Sequence, residues 1–303
     1  MKLDEYSKEI FSKQMISDIA VNSIMVDLKA FEYDFESAIV VGSSTETIQV
    51  LKQDKISLML KKIDNESETP ELISNILYPQ SEDKNTEKRL VFSLLQAAIR
   101  YACFLDKYHE SGEAIYLEEA YKHRSIIFSS LTPEKCMTLE SIEKKILPFW
   151  DYERCIQKRI EDDDSFSDAD IREYIYLRSS DSLFYCEIAN AFHPLNPETA
   201  ELFHKRLMLF DIVDSIQDFE EDMRDKQPNI LVMWLLNYMS RDMIPLSLPQ
   251  ALDISRKHKI NSKIHDFGRE LYQYALKSGL LNTIPLLEKD FDVKYHTLKE
   301  LLR

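Results

Sequence analysis

Asp211-Ile-Val-Asp214-Ser-Ile-Gln-Asp218-Phe-Glu-Glu221-Asp222-Met-Arg-Asp225 is the stretch on which the reading of this chain turns. As an α-helix advancing about 100° per residue, it gathers Asp211, Asp214, Asp218, Glu221, Asp222 and Asp225 within an arc of roughly 100°, with Glu220 and Arg224 outside it. Met208, Leu209, Ile212, Val213, Ile216, Phe219 and Met223 make the adjoining apolar face. A solvated helix normally sets Lys or Arg four residues from an acid. Here Asp214, Asp218 and Asp222 follow one another at that spacing with no base between them on the face, and each like-charge pair costs roughly a few tenths of a kcal/mol. Aspartate is also a mediocre helix former. The pattern predicts a helix packed along one side whose acidic face is completed by something cationic.

The rest of the chain is consistent with helices. Only 4 of its 303 residues are glycine, 44% are hydrophobic, and Leu, Ile, Glu, Lys and Ala recur in long runs without paired turn signals, which disfavours tight-hairpin sheets. Apolar periodicity predicts helices at about 3–20, 22–40, 44–62, 86–110, 113–130, 135–160, 168–192, 197–226, 229–241, 247–258, 261–279 and 290–302. Pro148, the His193-Pro194-Leu-Asn196-Pro197 turn and Gln227-Pro228-Asn229 end or kink helices, because proline lacks an amide donor and restricts the residue before it. Asn196 with Pro197 and Glu198 is a helix start. Residues 61–88 are the most polar and loop-like part, read as a flexible connection within one all-α domain spanning 1–303.

Charge and cysteine usage restrict the partners. A formal charge of −15 and a pI near 5.0 leave no concentrated basic face, so nucleic acid is not expected as a partner. Cys103, Cys136, Cys155 and Cys186 show no CxxC spacing, which argues for a reducing, cytoplasmic setting and against a zinc ribbon or a disulfide scaffold. The start, Met1-Lys-Leu-Asp-Glu-Tyr6, lacks the basic-then-apolar order of a signal peptide, and no apolar run reaches the ~18 residues of a membrane span.

On the acidic helix the donors are all oxygens, which suits a hard ion, Mg²⁺ or Mn²⁺, over zinc or copper. Magnesium is commonly shared with substrate phosphates. A second helix supports that idea: Phe92, Leu95, Ile99, Ala102 and Cys103 form an apolar stripe that runs into Asp106, Glu110 and Glu113. Two such helices facing one another would line a cavity greasy at the bottom and metal-binding at the rim, a shape suited to an isoprenoid chain bearing a diphosphate. Taken alone, the stripe reads as a core seam emerging into solvent.

Asp211 to Asp225, continued by Lys-Gln-Pro228-Asn229-Ile-Leu231, resembles the second metal motif of the class I isoprenoid synthases, and is most similar to the squalene/phytoene and large-terpene synthase branches. Upstream, Tyr174-Ile-Tyr-Leu-Arg178-Ser-Ser-Asp181-Ser-Leu-Phe184-Tyr185 resembles the kinked helix those enzymes set against substrate. The resemblance implies an all-α bundle with a central apolar cavity and Mg²⁺-dependent ionisation of a prenyl diphosphate, followed by cyclisation, elimination or condensation. It implies Asp214, Asp218, Glu221 and Asp222 as metal ligands, with Asp106 and Glu110 opposite, Asp218, Asp222 and Arg178 as catalytic residues, and Arg178 as the diphosphate contact. Phe92, Phe184, Tyr185 and Phe210 are the aromatics placed to face a carbocation. A salt bridge from Arg178 to Asp181 or Asp170 is the alternative for that residue. Asp106-Lys-Tyr-His-Glu110 departs from the family's aspartate-rich DDxxD.

The expected partner is thus a prenyl diphosphate, with no transmembrane segment, room for transient membrane contact, and a monomer or homodimer as the assembly. The rival expectation is a non-catalytic helical protein derived from that fold, binding lipid or acting as an adaptor. Two further pairs carry less: Glu201-x-x-His204 is one unit where a di-iron bundle needs two, and His265-Asp266 lacks the histidines a metal phosphohydrolase requires.

Overall fold

The structure, a computed structural model, describes residues 55–64, 69–77, 85–281 and 284–303. The expected helices 3–20 and 22–40, and most of 44–62, lie outside the described residues, as do 65–68 and 78–84 of the polar segment. Among the described residues every regular element is a helix, and none is long and apolar enough to cross a membrane. None of the four cysteines is in a disulfide.

The helices are α1 (55–64), α2 (Thr69–Leu77), α3 (Asn85–Ser111), α4 (Ala114–Ser129), α5 (Pro133–Ile146), α6 (Phe149–Glu161), α7 (Asp168–Arg178), α8 (Asp181–Asn190), α9 (Pro197–Gln217), α10 (Phe219–Asp225), α11 (Ile230–Leu235), α12 (Leu248–Lys257), α13 (Ile260–Lys277) and α14 (Pro285–Leu301). They fall into two compact units. Of the described residues, one unit holds those up to Trp150 together with Glu187–Pro194, and the other holds those of Asp151–Cys186 and Leu195–Arg303.

In the first unit α3 packs against α2 and α4. Val91, Leu94, Leu95, Ala98, Tyr101, Phe104 and Leu105 are buried along it at spacings of one, three and four, the stripe expected of a core-facing helix. Gly112, at φ +69°, reverses the chain into α4, a left-handed position where glycine has no Cβ penalty. Three polar groups cross this core. The Tyr101 hydroxyl donates to Glu143 Oε1 at 2.5 Å, and Arg124 donates from Nε and Nη2 to the two Glu143 oxygens at 2.7 Å each, tying α3, α4 and α5 together. The expected helix 135–160 is two helices, separated at Leu147-Pro148 where the missing proline amide breaks the ladder.

In the second unit α9 is the central helix, packed against α7, α11, α13 and α14. Asn196 accepts from the Glu198 amide at 3.0 Å and Pro197 occupies the first turn, as the sequence predicts. Its buried positions run from Thr199 through Leu202, Phe203, His204, Arg206, Met208, Leu209, Asp211, Ile212, Val213, Ser215 and Ile216, covering the whole circumference. A helix packed on every side is a core helix, so its polar side chains must find partners inside. Arg206 meets that requirement with Asp290 of α14 at 2.6 Å. Gly268 lets α14 approach α13 closely, since a Cβ there would stand 2.2 Å from Leu298 Cδ2.

Candidate functional site

The expected helix 197–226 is interrupted. α9 ends at Gln217, Asp218 sits at the joint with φ −87° and ψ 5°, and α10 carries Phe219–Asp225. The amide chain is nearly continuous across it: Asp218 N donates to Asp214 O and Asp222 N to Asp218 O, both at 2.8 Å. Lys226, in the left-handed region at φ 59°, ends α10. Pro228 and Asn229 then start α11, shorter than the expected 229–241. Asn229 is fully buried, and its Oδ1 accepts from the amides of Leu231 at 2.9 Å and Val232 at 3.4 Å. Its Nδ2 donates to Ser215 O and, at 2.8 Å, to Asp222 Oδ2. One asparagine thus caps α11 and orients the Asp222 carboxyl against α9. Its place in the Pro228-Asn229-Ile230-Leu231 run was visible in the sequence; its task was not.

The expected helix 168–192 is likewise two. α7 starts at a capping box in which Ser167 Oγ accepts from Asp170 N at 3.1 Å and Asp170 Oδ2 accepts from Ser167 N at 2.8 Å. It stops at Arg178, and α8 restarts at Asp181. At that break Arg178 Nη2 reaches Asp214 Oδ2 at 3.3 Å and Nε stands 3.9 Å from Asp211 Oδ1. Nη1 donates to the Tyr174 hydroxyl at 3.4 Å, which donates to Glu153 Oε1 at 2.9 Å. Burial opposes the Arg178 charge, but Tyr174, Asp211, Glu153 and Asp214 outweigh it and hold the guanidinium pKa well above the ordinary arginine value. The alternative partners are otherwise engaged: Asp170 in the capping box, Asp181 by the Tyr185 hydroxyl at 2.7 Å.

The acids of the motif therefore separate. Asp211, 7% exposed, accepts from the Ser179 hydroxyl and pairs with Arg178. Burial lifts its pKa to about 7, against the opposing pull of Arg178 and Ser179, with Asp181 and Asp214 adding to the rise. Burial likewise lifts Asp222 to about 6, Asn229 and Arg178 opposing, Asp218 and Asp214 reinforcing. Asp214, Asp222 and Arg178 thus share one electrostatic neighbourhood. Asp218, Glu221 and Asp225 are exposed, and Glu220 accepts from the Leu248 amide at 3.0 Å at the start of α12. The cation missing from the sequence pattern is supplied in part from α7.

In the first unit Asp106 is exposed and accepts from Trp150 Nε1 at 3.1 Å, while Glu110 pairs with Lys107 at 2.8 Å. His109 stacks on Trp150 with ring centroids 5.0 Å apart, and Glu113 pairs with Lys55 at 2.7 Å. Leu95 and Ile99 are buried, Phe92, Ala102 and Cys103 partly so, and the stripe ends in exposed acids. Phe184 and Tyr185 are buried at 2% and 6% exposure. Phe210 lies under Lys294, 4.8 Å from its ring centroid, and beside Arg206, which directs it toward α14. His265 faces the Tyr295 hydroxyl at 3.2 Å, and Asp266 pairs with Arg269 at 2.9 Å.

Among the described residues no three His, Cys, Asp or Glu side chains stand together as a ready-made metal cage. The donor set nonetheless fits magnesium, which binds through one or two carboxylates and completes its shell with waters and substrate phosphates. The raised Asp211 and Asp222 pKa values come first from burial, with the neighbouring carboxylates adding a smaller push in the same direction.

Asp211 gives a pH signature. Its pKa is about 7 in the folded chain against 3.8 ordinarily, so the folded state holds the extra proton and this contribution to stability is full below 3.8 and lost as pH rises through 7. Asp211→Asn keeps the hydrogen bond to Ser179 and removes the titration. Urea unfolding of both proteins should show wild type losing roughly 2–3 kcal/mol more than the variant between pH 5 and pH 8. Parallel pH dependences would show that Asp211 is not held protonated.

Compared with protein-family models, curated proteins and solved structures, the chain matches none.

Proposed function

We propose that this chain is a class I isoprenoid synthase, ionising a prenyl diphosphate with Mg²⁺ or Mn²⁺ and passing the cation to cyclisation, elimination or condensation. The observation that carries this reading is the meeting of Arg178, at a helix break, with Asp214 and Asp211 of the motif helix. Asp222 belongs to the same neighbourhood, held by Asn229. A guanidinium among carboxylates is poised to exchange partners: diphosphate oxygens offer the same planar, two-pronged match as a carboxylate with more charge.

In this reading Asp214, Asp218, Glu221 and Asp222 would hold the metal ions. Bound there, the ions would neutralise the departing diphosphate as Lewis acids. Arg178 takes diphosphate oxygens on its Nη atoms, releasing Asp214. Asn229 keeps Asp222 turned toward the bound group. The allylic C–O bond then breaks with its electron pair leaving on the diphosphate, and the cation remains where Phe184 and Tyr185 offer it aromatic faces.

A second reading, a non-catalytic lipid-binding or adaptor protein of the same descent, draws on the first acidic cluster, where Lys107 already compensates Glu110 and Asp106 already serves Trp150. Calorimetric titration with inorganic diphosphate separates the two. A synthase binds it in a Mg²⁺-dependent manner that Asp222→Asn weakens at least tenfold, whereas an adaptor takes up no heat with or without the metal.

A further inference from the structure

Glu201-x-x-His204, which the proposed chemistry does not use, places His204 at the heart of the second unit. The ring is fully buried on α9, its Nδ1 2.8 Å from Ser182 Oγ and 3.1 Å from the Ser179 carbonyl oxygen. Where α7 stops, carbonyls lose their helical donors and must find others. The Ser179 carbonyl accepts from the Ser182 amide at 3.2 Å and from the Ser182 hydroxyl at 2.7 Å. Because that hydroxyl spends its one proton on the carbonyl, its oxygen accepts from His204, which fixes the imidazole proton on Nδ1. Burial keeps the ring neutral, its pKa lowered to about 3 with the neighbouring Lys205 acting in the same direction. Nε2 is buried and has no hydrogen-bond partner among the described residues, and the Tyr176 ring stands edge-on with centroids 4.5 Å apart. Among the described residues the imidazole hydrogen bonds are thus made through Nδ1, toward the break.

Seven residues further along α9, two helical turns and so on the same face, Asp211 accepts from the Ser179 hydroxyl. One residue is therefore gripped twice from one helix, at its carbonyl side by His204 and at its hydroxyl by Asp211. The residue before it is Arg178.

We propose that His204 is a positioning residue for Arg178: by holding the 179–182 break through Nδ1 it sets the angle at which the guanidinium meets Asp211 and Asp214. Its value for diphosphate binding rests on the proposed function, but its action on Arg178 does not.

The test compares wild type, His204→Leu and His204→Asn, whose side-chain amide can donate from near the Nδ1 position, with Ser182→Ala as a milder variant should the leucine protein fail to fold. The readout is the ¹⁵Nη–H signal of Arg178, assigned by its loss in Arg178→Lys, together with amide exchange at Ser182 and Leu183. Wild type and the asparagine variant should show a slowly exchanging Arg178 Nη–H signal, its groups being bonded to the Tyr174 hydroxyl and Asp214. In the leucine and Ser182→Ala proteins its exchange should rise at least tenfold, with faster exchange at the break. An Arg178 signal unmoved in folded His204→Leu or Ser182→Ala overturns the proposal, even if the break loosens. Titrating each protein with inorganic diphosphate and Mg²⁺ then bears on the function separately: wild type that binds none refutes the synthase reading and leaves the Arg178 result standing.

Discussion

Arg178→Met should lower turnover of a prenyl diphosphate by about 100- to 1,000-fold, the scale on which removing one preorganised donor to developing anionic charge acts. The substitution keeps an apolar stem of similar length and deletes the cation that Asp214 and Asp211 approach at 3.3 and 3.9 Å. Without it the negative charge around Asp211 and Asp222 is less compensated, so both carboxyls should titrate still higher than about 7 and 6. Arg178→Lys retains a charge but not the planar fork, and should recover only part of the rate. Steady-state kinetics beside near-ultraviolet circular dichroism separates this loss from unfolding. A variant that turns over as wild type would remove Arg178 from the chemistry.

Arg124→Met should destabilise the first unit by about 3–5 kcal/mol, the penalty for leaving a buried charge without its partner. Glu143 is only 5% exposed and receives both Arg124 nitrogens and the Tyr101 hydroxyl. The variant leaves it with one neutral donor. Tyr101 cannot substitute, since burial and the adjacent Glu143 carboxylate push its pKa well above the ordinary value and keep it neutral. Combining Arg124→Met with Glu143→Leu and Tyr101→Phe removes every member of the network and should recover most of the loss, because an apolar replacement of a buried ionic cluster is often close to neutral. Urea denaturation of wild type, the single and the triple variant checks this; equal stability in all three would show the network to be solvated.

How far these groups could be read beforehand depended on the range of the interaction. Asn196 and Pro197 announced α9 because a cap is local, requiring only a side-chain acceptor and a fixed φ. Pro148 split α5 from α6 for an equally local reason. The joint at Asp218 carried no such mark: apolar spacing runs through it unchanged, and the backbone ladder scarcely lapses. Burial all round α9 was hidden too, because its polar residues imitate a solvated face. Arg206 and Asp211 are inside only because Asp290, Ser179 and Arg178, distant in sequence, receive them. Phe210 illustrates the same limit, since its neighbour Lys294, 4.8 Å from its ring centroid, is distant in sequence.

The break at Ser179-Ser180, inside the expected helix 168–192, carries no local mark in the sequence, since neither proline nor glycine occurs there. What fixes it is tertiary: His204 and Asp211 reach from α9 to the carbonyl and hydroxyl of Ser179. The same holds for Asn229, whose side chain caps α11 and orients Asp222 at once.

Incubating the folded protein with prenyl diphosphates of increasing chain length, and following release of pyrophosphate with and without Mg²⁺, tests the central claim most directly. Metal-dependent release from at least one chain length, lost on chelation and in Asp222→Asn, is the predicted result. No release from any chain length, by protein shown to be folded, would contradict it.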